Sequence, residues 1–196
     1  MVVTGGPGAG KTAVLEMLRR TLCPHVVILP EAASIIFKGG FWRRPSVAGR
    51  RASQRAIFHV QHELEQLVED EGNTAIALCD RGSLDGLAYW PGSHATYFKQ
   101  LKTTYEYELF RYEAIIHLET PSKLSGYDHS NPVRVEDAHQ AHLIDKKLKL
   151  VWSKHPNRYF VKSTVDFMEK ARLAINLIEQ ILPHCCGKDF GHASQE

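Results

Sequence analysis

Residues 5–12 read Gly5-Gly6-Pro7-Gly8-Ala9-Gly10-Lys11-Thr12, directly after the apolar pair Val2-Val3 and Thr4. This stretch satisfies G-x-x-x-x-G-K-[ST] without a mismatch, and each part of that pattern has a physical task. Glycines let the backbone curl so that successive N–H groups converge on one anion. Lys11 carries positive charge to β- and γ-phosphates, and the Thr12 hydroxyl is a ligand for Mg²⁺. A helix opening at Lys11 and continuing through Ala13 adds its positive dipole end beneath the same phosphates. A plain strand-to-helix turn needs neither Lys nor Thr after its last glycine. Positions 5–13 are therefore expected to cradle a nucleoside triphosphate, ATP with GTP as the alternative, together with Mg²⁺.

Working outward, strand-like apolar runs alternate with helical patterns. Val2–Thr4 leads into the loop, and 13–22 is its helix. Further strands are expected at 25–29, 74–79, 114–118 and 158–162, and helices at 53–71, 95–110, 136–152 and 166–182. The 53–71 segment carries Ile57, Val60, Leu64, Leu67 and Val68 at helical spacing. Alternating strand and helix predicts a parallel sheet covered on both faces, because such strands are almost unbroken apolar runs. Ligands in such sheets bind beyond the carboxyl ends of the strands. No repeat or linker interrupts the pattern, so one domain is expected over 1–183, followed by a tail at 184–196.

The bulk numbers exclude several classes. With 196 residues and 43% hydrophobic content the chain can bury a full core. Its formal net charge of +2 does not imply nucleic-acid binding through bulk charge. No run approaches the ~20 apolar residues of a membrane span, and the start lacks the pattern of a signal peptide. Cys23, Cys79, Cys185 and Cys186 form neither a disulfide framework nor C-x-x-C, which fits a reducing, cytoplasmic setting. His184, Cys185, Cys186 and His192 match no usual zinc spacing and read as a solvated tail. His139 and His142 read as polar-face histidines, and His155-Pro156 as the turn into the last strand.

The strand ends hold the chemistry. The second strand ends at Leu29-Pro30-Glu31, the third at Asp80-Arg81-Gly82 with Asp85 shortly after. Asp80 closes an apolar run, so its carboxylate can hold Mg²⁺ opposite Thr12; a helix cap is the alternative. Arg81 suits a phosphate oxygen or a carboxylate. It stands where a mechanical ATPase usually has the Glu that polarises water, and no [NT]-K-x-D guanine reader is present. Transfer to an acceptor other than water is therefore favoured. Glu31 is placed to accept the proton of an acceptor hydroxyl, or else to start a helix at 32.

No acidic residue lies between Ala32 and His62, while Lys38, Arg43, Arg44, Arg50, Arg51 and Arg55 do, beside Phe41 and Trp42. This is expected to be a mobile basic loop that closes over a polar or anionic acceptor. The alternative is a solvated loop that meets a partner or a membrane surface. Polar residues 121–136 suggest a lid, with Arg134 able to neutralise charge on a transferring phosphoryl group.

The combination V-T-G-G-P-G-A-G-K-T-A-V-L-E, P-E-A-A at 30–33 and D-R-G-S-L-D-G-L-A-Y at 80–89 resembles a family of small AAA-domain P-loop ATPases, related to nucleoside kinases and ribosylnicotinamide kinase domains. The resemblance spans nearly the whole chain, including Arg134-x-Glu136 and Phe167 to Lys170. It implies a three-layer P-loop NTPase fold with a five-stranded parallel sheet, order 2-3-1-4-5, and ATP binding with Mg²⁺. In the related nucleoside kinases the acid after the second strand is the base, and the [DE]-R pair handles Mg²⁺ and phosphate; Glu31, Asp80 and Arg81 match these positions. Some eukaryotic relatives look like GTP- and phosphoinositide-binding proteins. The basic insert at 38–55 replaces a recognisable nucleoside pocket and leaves the acceptor open.

The leading expectation is an ATP/Mg²⁺-dependent phosphotransferase acting on a small hydroxyl-bearing molecule. Lys11, Arg81 and Arg134 would carry phosphate charge, Thr12 and Asp80 the metal, and Glu31, Arg43, Arg44 and Asp85 the acceptor. The rivals are a slow NTPase switch and a nucleotide-dependent module that binds phosphoinositide or protein through the basic loop.

Overall fold

The computed structural model describes residues 1–121 and 138–182. Arg134, nearly all of the expected lid and the tail lie outside these residues. Five strands, β1 (Val2–Thr4), β2 (Val26–Leu29), β3 (Ile76–Asp80), β4 (Ile115–Leu118) and β5 (Arg158–Val161), form one parallel sheet in the order β2-β3-β1-β4-β5. This is the order that the family resemblance implies.

Successive strand residues point to opposite faces, and here both faces are covered. Val3, Leu78 and Ile116 pack with Val14, Leu15 and Leu18 of α1 (Lys11–Arg19) and with Ala171, Ala174 and Ile178 of α8 (Phe167–Ile181). Their neighbours Val2, Cys79 and Ile115 face the other way, against Phe58, Leu84, Tyr97, Leu109 and Trp152. That second layer is built from α3 (Val47–Glu71), a 3-10 turn (Ser83–Asp85), α4 (Gly86–Tyr89), α5 (His94–Leu101), α6 (Tyr105–Phe110) and α7 (Ala138–Val151). The short α2 (Ala32–Lys38) leads out of β2.

Three expectations need correction. The basic segment is mostly helix: α2 occupies its start, and Ser46 caps α3 by accepting the Gly49 N–H at 3.1 Å. Only 39–46 connects the two helices. The single helix expected at 95–110 is two, because Lys102 turns left-handed (φ 55°) and Thr104 caps a new start by accepting from Tyr107 N. The inner face of α3 is also not the apolar stripe alone. Its buried residues are Ser53, Phe58, Gln61 and Glu65, whereas Leu67 is 54% exposed.

Candidate functional site

The phosphate loop joins β1 to α1. Gly10, the residue before the helix, has φ 89°, and a Cβ there would stand 2.6 Å from the Phe167 ring; only glycine fits both demands. The Lys11 ammonium lies buried over its own loop and donates to the carbonyls of Gly5 (3.0 Å) and Gly6 (3.3 Å). Burial, then the neighbouring Arg81 charge, lowers its pKa to about 8.

Opposite, the Thr12 hydroxyl donates to Asp80 Oδ2 at 2.7 Å. Asp80 is 4% exposed and its Oδ1 is buried with no hydrogen-bond partner among the described residues. Burial pushes its carboxyl up, against the pull of Lys11. An orphaned buried carboxylate oxygen beside a hydroxyl is a donor set that fits a hard divalent cation such as Mg²⁺. No three His, Cys, Asp or Glu residues cluster as metal ligands among the described residues. A cation here would take the rest of its shell from phosphate and water oxygens.

Glu31 starts α2 but makes no side-chain capping bond. Its carboxylate turns instead to Arg81, whose Nε donates to Oε1 at 2.6 Å, and to the Ser34 hydroxyl, which donates to Oε2 at 2.5 Å. Burial would raise its pKa, but the charges of Arg81 and Lys11 and the Ser34 bond outweigh it and hold Glu31 at about 2. Arg81 itself has φ 79°, an uncommon backbone state for a residue with a side chain. Its second arm reaches Asp85 Oδ2 (3.3 Å) and the Gly5 carbonyl (3.4 Å).

Asp85 lies in the cavity wall, 3% exposed. Its oxygens accept from the Thr4 hydroxyl (2.9 and 2.8 Å) and from Trp152 Nε1 (2.7 Å), besides Arg81. The carboxylate is thus engaged by protein groups, and its geometry serves to aim Arg81.

A cavity of about 130 Å³ joins these groups. One wall is Gly8, Lys11 and Thr12; another is Glu31, Ala32, Phe37 and Arg43. The side of α3 supplies Gln54, Ile57, Phe58 and Gln61, and Tyr89 and Tyr97 complete it. Arg43 stacks over Phe37, 4.6 Å from the ring centroid. Arg44 instead stacks over the exposed Trp42 and does not line the cavity. Arg50, Arg51 and Arg55 are spent on structure: Arg50 donates to Tyr89 O, Arg51 to Pro91 O and Arg55 to Gln100 Oε1. The basic stretch therefore brings one arginine, Arg43, to the cavity.

The structure brings Lys11, Thr12, Glu31, Asp80, Arg81, Asp85 and Arg43 together, and leaves Arg44 outside. Sequence reasoning missed Ser34, Gln54, Phe58, Gln61, Tyr89 and Tyr97. The spacing of Gln54, Phe58 and Gln61 was a usable signal, since residues four and three apart share a helix face. His139 and His142 are exposed, as expected. His155 Nε2 donates to Tyr112 O at 2.7 Å and its Nδ1 accepts from the Asn157 N–H at 3.2 Å, at the turn before β5.

No helix among the described residues is long and apolar enough to cross a membrane. Among curated proteins none matches the sequence significantly. Solved structures resemble it over nearly its whole length. A deoxyadenosine kinase from M. mycoides, described with products dCMP and a flexible dCDP bound, superposes with a TM-score of 0.52 at 13% identity, covering 92% of this chain and 98% of that one. A thymidylate kinase from Candida albicans superposes with a TM-score of 0.55 at 15% identity, covering 91% and 90%. At such identities the likeness is one of fold. The model of the AAA domain matches residues 1–170, and with the loop, sheet order and fold just described, the chain belongs to this AAA-domain family of small P-loop proteins with a nucleoside-kinase-like fold.

Proposed function

We propose that this protein transfers the γ-phosphoryl group of ATP to a hydroxyl of a small, ring-bearing acceptor of the nucleoside or nucleotide class. The observation that carries the reading is Glu31. Its carboxylate is locked by Arg81 and Ser34 and shares one cavity with Lys11 and Thr12. A hydrolase needs a group to activate water, and Arg81 occupies the position after Asp80 where such a Glu would stand. A transferase needs an acceptor to be held and aimed, and Glu31 suits that task.

Glu31, with its pKa of about 2, is a weak base at neutral pH. It serves best as a fixed acceptor of the substrate hydroxyl's hydrogen bond, which sets the angle of attack. In a loose phosphoryl-transfer transition state the hydroxyl proton leaves late, so aim matters more than basicity. Lys11 and Arg81 balance charge on the phosphate oxygens. Thr12 and Asp80 would hold Mg²⁺, which when bound neutralises phosphate charge. Phe37, Phe58 and Tyr89 line the cavity with flat apolar rings, and Gln54 offers an amide donor and acceptor, a set suited to a planar heterocycle. Arg43 at the same cavity suits an anionic substituent. The two kinases of like fold act on nucleosides or nucleotides, which adds to this choice of class.

The test is label transfer from γ-labelled ATP to a panel of nucleosides and nucleoside monophosphates. Glu31→Gln should lower transfer about 100-fold or more while ATP affinity by calorimetry stays within about twofold. Full turnover in that variant, or hydrolysis that no panel member accelerates, would defeat the reading. If GTP displaces ATP at equal concentration, the donor assignment changes and the acceptor chemistry does not.

A further inference from the structure

Helix α7 sends a buried carboxylate to the back of the phosphate loop. Asp145 is 2% exposed, and its Oδ1 accepts from the backbone N–H of Gly6 at 2.9 Å and from His117 Nε2 at 3.0 Å. The N–H and hydroxyl of Thr120 approach the same oxygen at 3.4 and 3.3 Å. One carboxylate oxygen has room for about two good hydrogen bonds, so the shorter pair from Gly6 and His117 dominates. Lys149 lies 3.4 Å from Oδ2 and also binds Glu119 Oε1 at 2.7 Å. His117 is 1% exposed and sits on β4, beside β1 in the sheet.

The contact is tight as well as polar. A Cβ on Gly6 would meet Thr120 Oγ1 at 2.4 Å and the Ala141 carbonyl at 2.8 Å. The loop thus lies flat on α7 and on the exit of β4. On its other side Lys170 of α8, 2% exposed, donates to the Ala9 carbonyl at 2.7 Å and to the Glu119 carbonyl. A carboxylate would by itself repel a triphosphate, but here Lys149 and Lys170 flank it. The arrangement therefore costs little in repulsion while gaining a charge-assisted bond, which is stronger than a neutral one.

We propose that Asp145 is a positioning residue for the nucleotide: it anchors Gly6 to α7, withdraws that N–H from the set that meets phosphate, and so sets the curvature of the anion cup formed by the following amides. His117 and Thr120 orient the carboxylate for this task. The inference rests on the nucleotide-binding reading above, yet the anchor is testable without nucleotide. Hydrogen exchange of backbone amides in the nucleotide-free wild-type protein should show Gly6 protected and Gly8 and Gly10 fast. Gly6 exchanging as fast as Gly8 overturns the proposal. On adding ADP with Mg²⁺, nitrogen-detected amide shifts should move strongly for Gly8, Gly10 and Lys11 and least for Gly6. A Gly6 shift as large as that of Gly10 also overturns it. Asp145→Asn keeps an acceptor oxygen but loses the charge, and should weaken ADP binding about tenfold at a temperature where its circular dichroism overlays the wild type. Unchanged affinity in that folded variant assigns Asp145 a structural part only and removes the proposal. If the variant does not fold, the wild-type exchange and shift measurements still decide. Failure of any nucleotide to bind the wild type defeats the function proposed above, while the Gly6 protection stands or falls separately.

Discussion

Arg81 shows how much one residue can organise. It accepts a left-handed backbone, φ 79°, and this turn aims one guanidinium at Glu31, Asp85 and the loop carbonyl of Gly5. Such a state is held only where the surroundings over-determine it, and Asp85, itself fixed by Thr4 and Trp152, supplies that constraint. The pairing has a pH signature. The folded pKa of Glu31, about 2, lies below its ordinary value of 4.5. The unfolded chain therefore binds more protons between these values, and stability rises with pH across that window. The contribution is complete above about 4.5 and is lost as pH falls through 2. Urea midpoints measured from pH 2.5 to 6 should slope less in Glu31→Gln than in wild type; equal slopes would show that the ion pair is not formed. Trp152→Phe keeps an aromatic ring but removes the N–H that donates to Asp85 Oδ1 at 2.7 Å and leaves part of the fully buried indole's volume empty. We expect a loss of about 1–3 kcal/mol, read as a fall in Tm of roughly 2–4 °C per kcal/mol for a chain of this size.

At the scale of elements, the long helix α3 does two tasks at once. Its start is bound to the 89–91 stretch by Arg50 and Arg51, and its middle faces the cavity with Gln54, Phe58 and Gln61. That explains why a run with so many arginines is not a solvated loop: the guanidiniums satisfy the carbonyls of a tight turn. Ser46→Ala should cost about 1 kcal/mol by removing the cap at Gly49, seen as a lower urea midpoint at unchanged slope. The break between α5 and α6 offers the opposite sign. Lys102 holds φ 55° on an exposed surface, and a side chain in that state costs about 1–2 kcal/mol. Lys102→Gly should relieve it, offset by greater freedom in the unfolded chain, for a net gain of about 0.5–1 kcal/mol. A lower midpoint in that variant would mean that the lysine makes compensating contacts.

Over the whole molecule, the phosphate loop is where the two layers meet. Lys170 reaches it from one face of the sheet, and Asp145 reaches it from the other. Burial holds the Lys170 pKa at about 8, below its ordinary 10.5. Between these values the unfolded chain binds more protons than the folded one, so this group makes stability rise with pH from about 8 to 10.5. Lys170→Met removes that rise. It also strips the carbonyls of Ala9 and Glu119 of their donor, a loss of about 2 kcal/mol or more. Chemical unfolding at pH 7.5 and 9.5 checks both. A variant as stable as wild type at pH 7.5 would show that the ammonium contributes nothing to holding the loop.

Local chemistry alone determined the phosphate loop, the parallel sheet and the carboxylates at its strand ends. Glycine curls, Lys and Thr follow at a set spacing, and apolar runs buried on both sides leave few alternatives. The pairing of Glu31 with Arg81 spans 50 residues, and the bond from Gly6 to Asp145 spans 139; no periodicity connects such positions. The arginines followed the same rule. Composition placed them all in one basic field, but only folding decided that Arg43 lines the cavity while Arg50, Arg51 and Arg55 hold backbone and an amide. Pattern reads what neighbours in sequence do to each other, whereas partners across the sheet are chosen by which strand lies beside which, and that is a property of the packed chain.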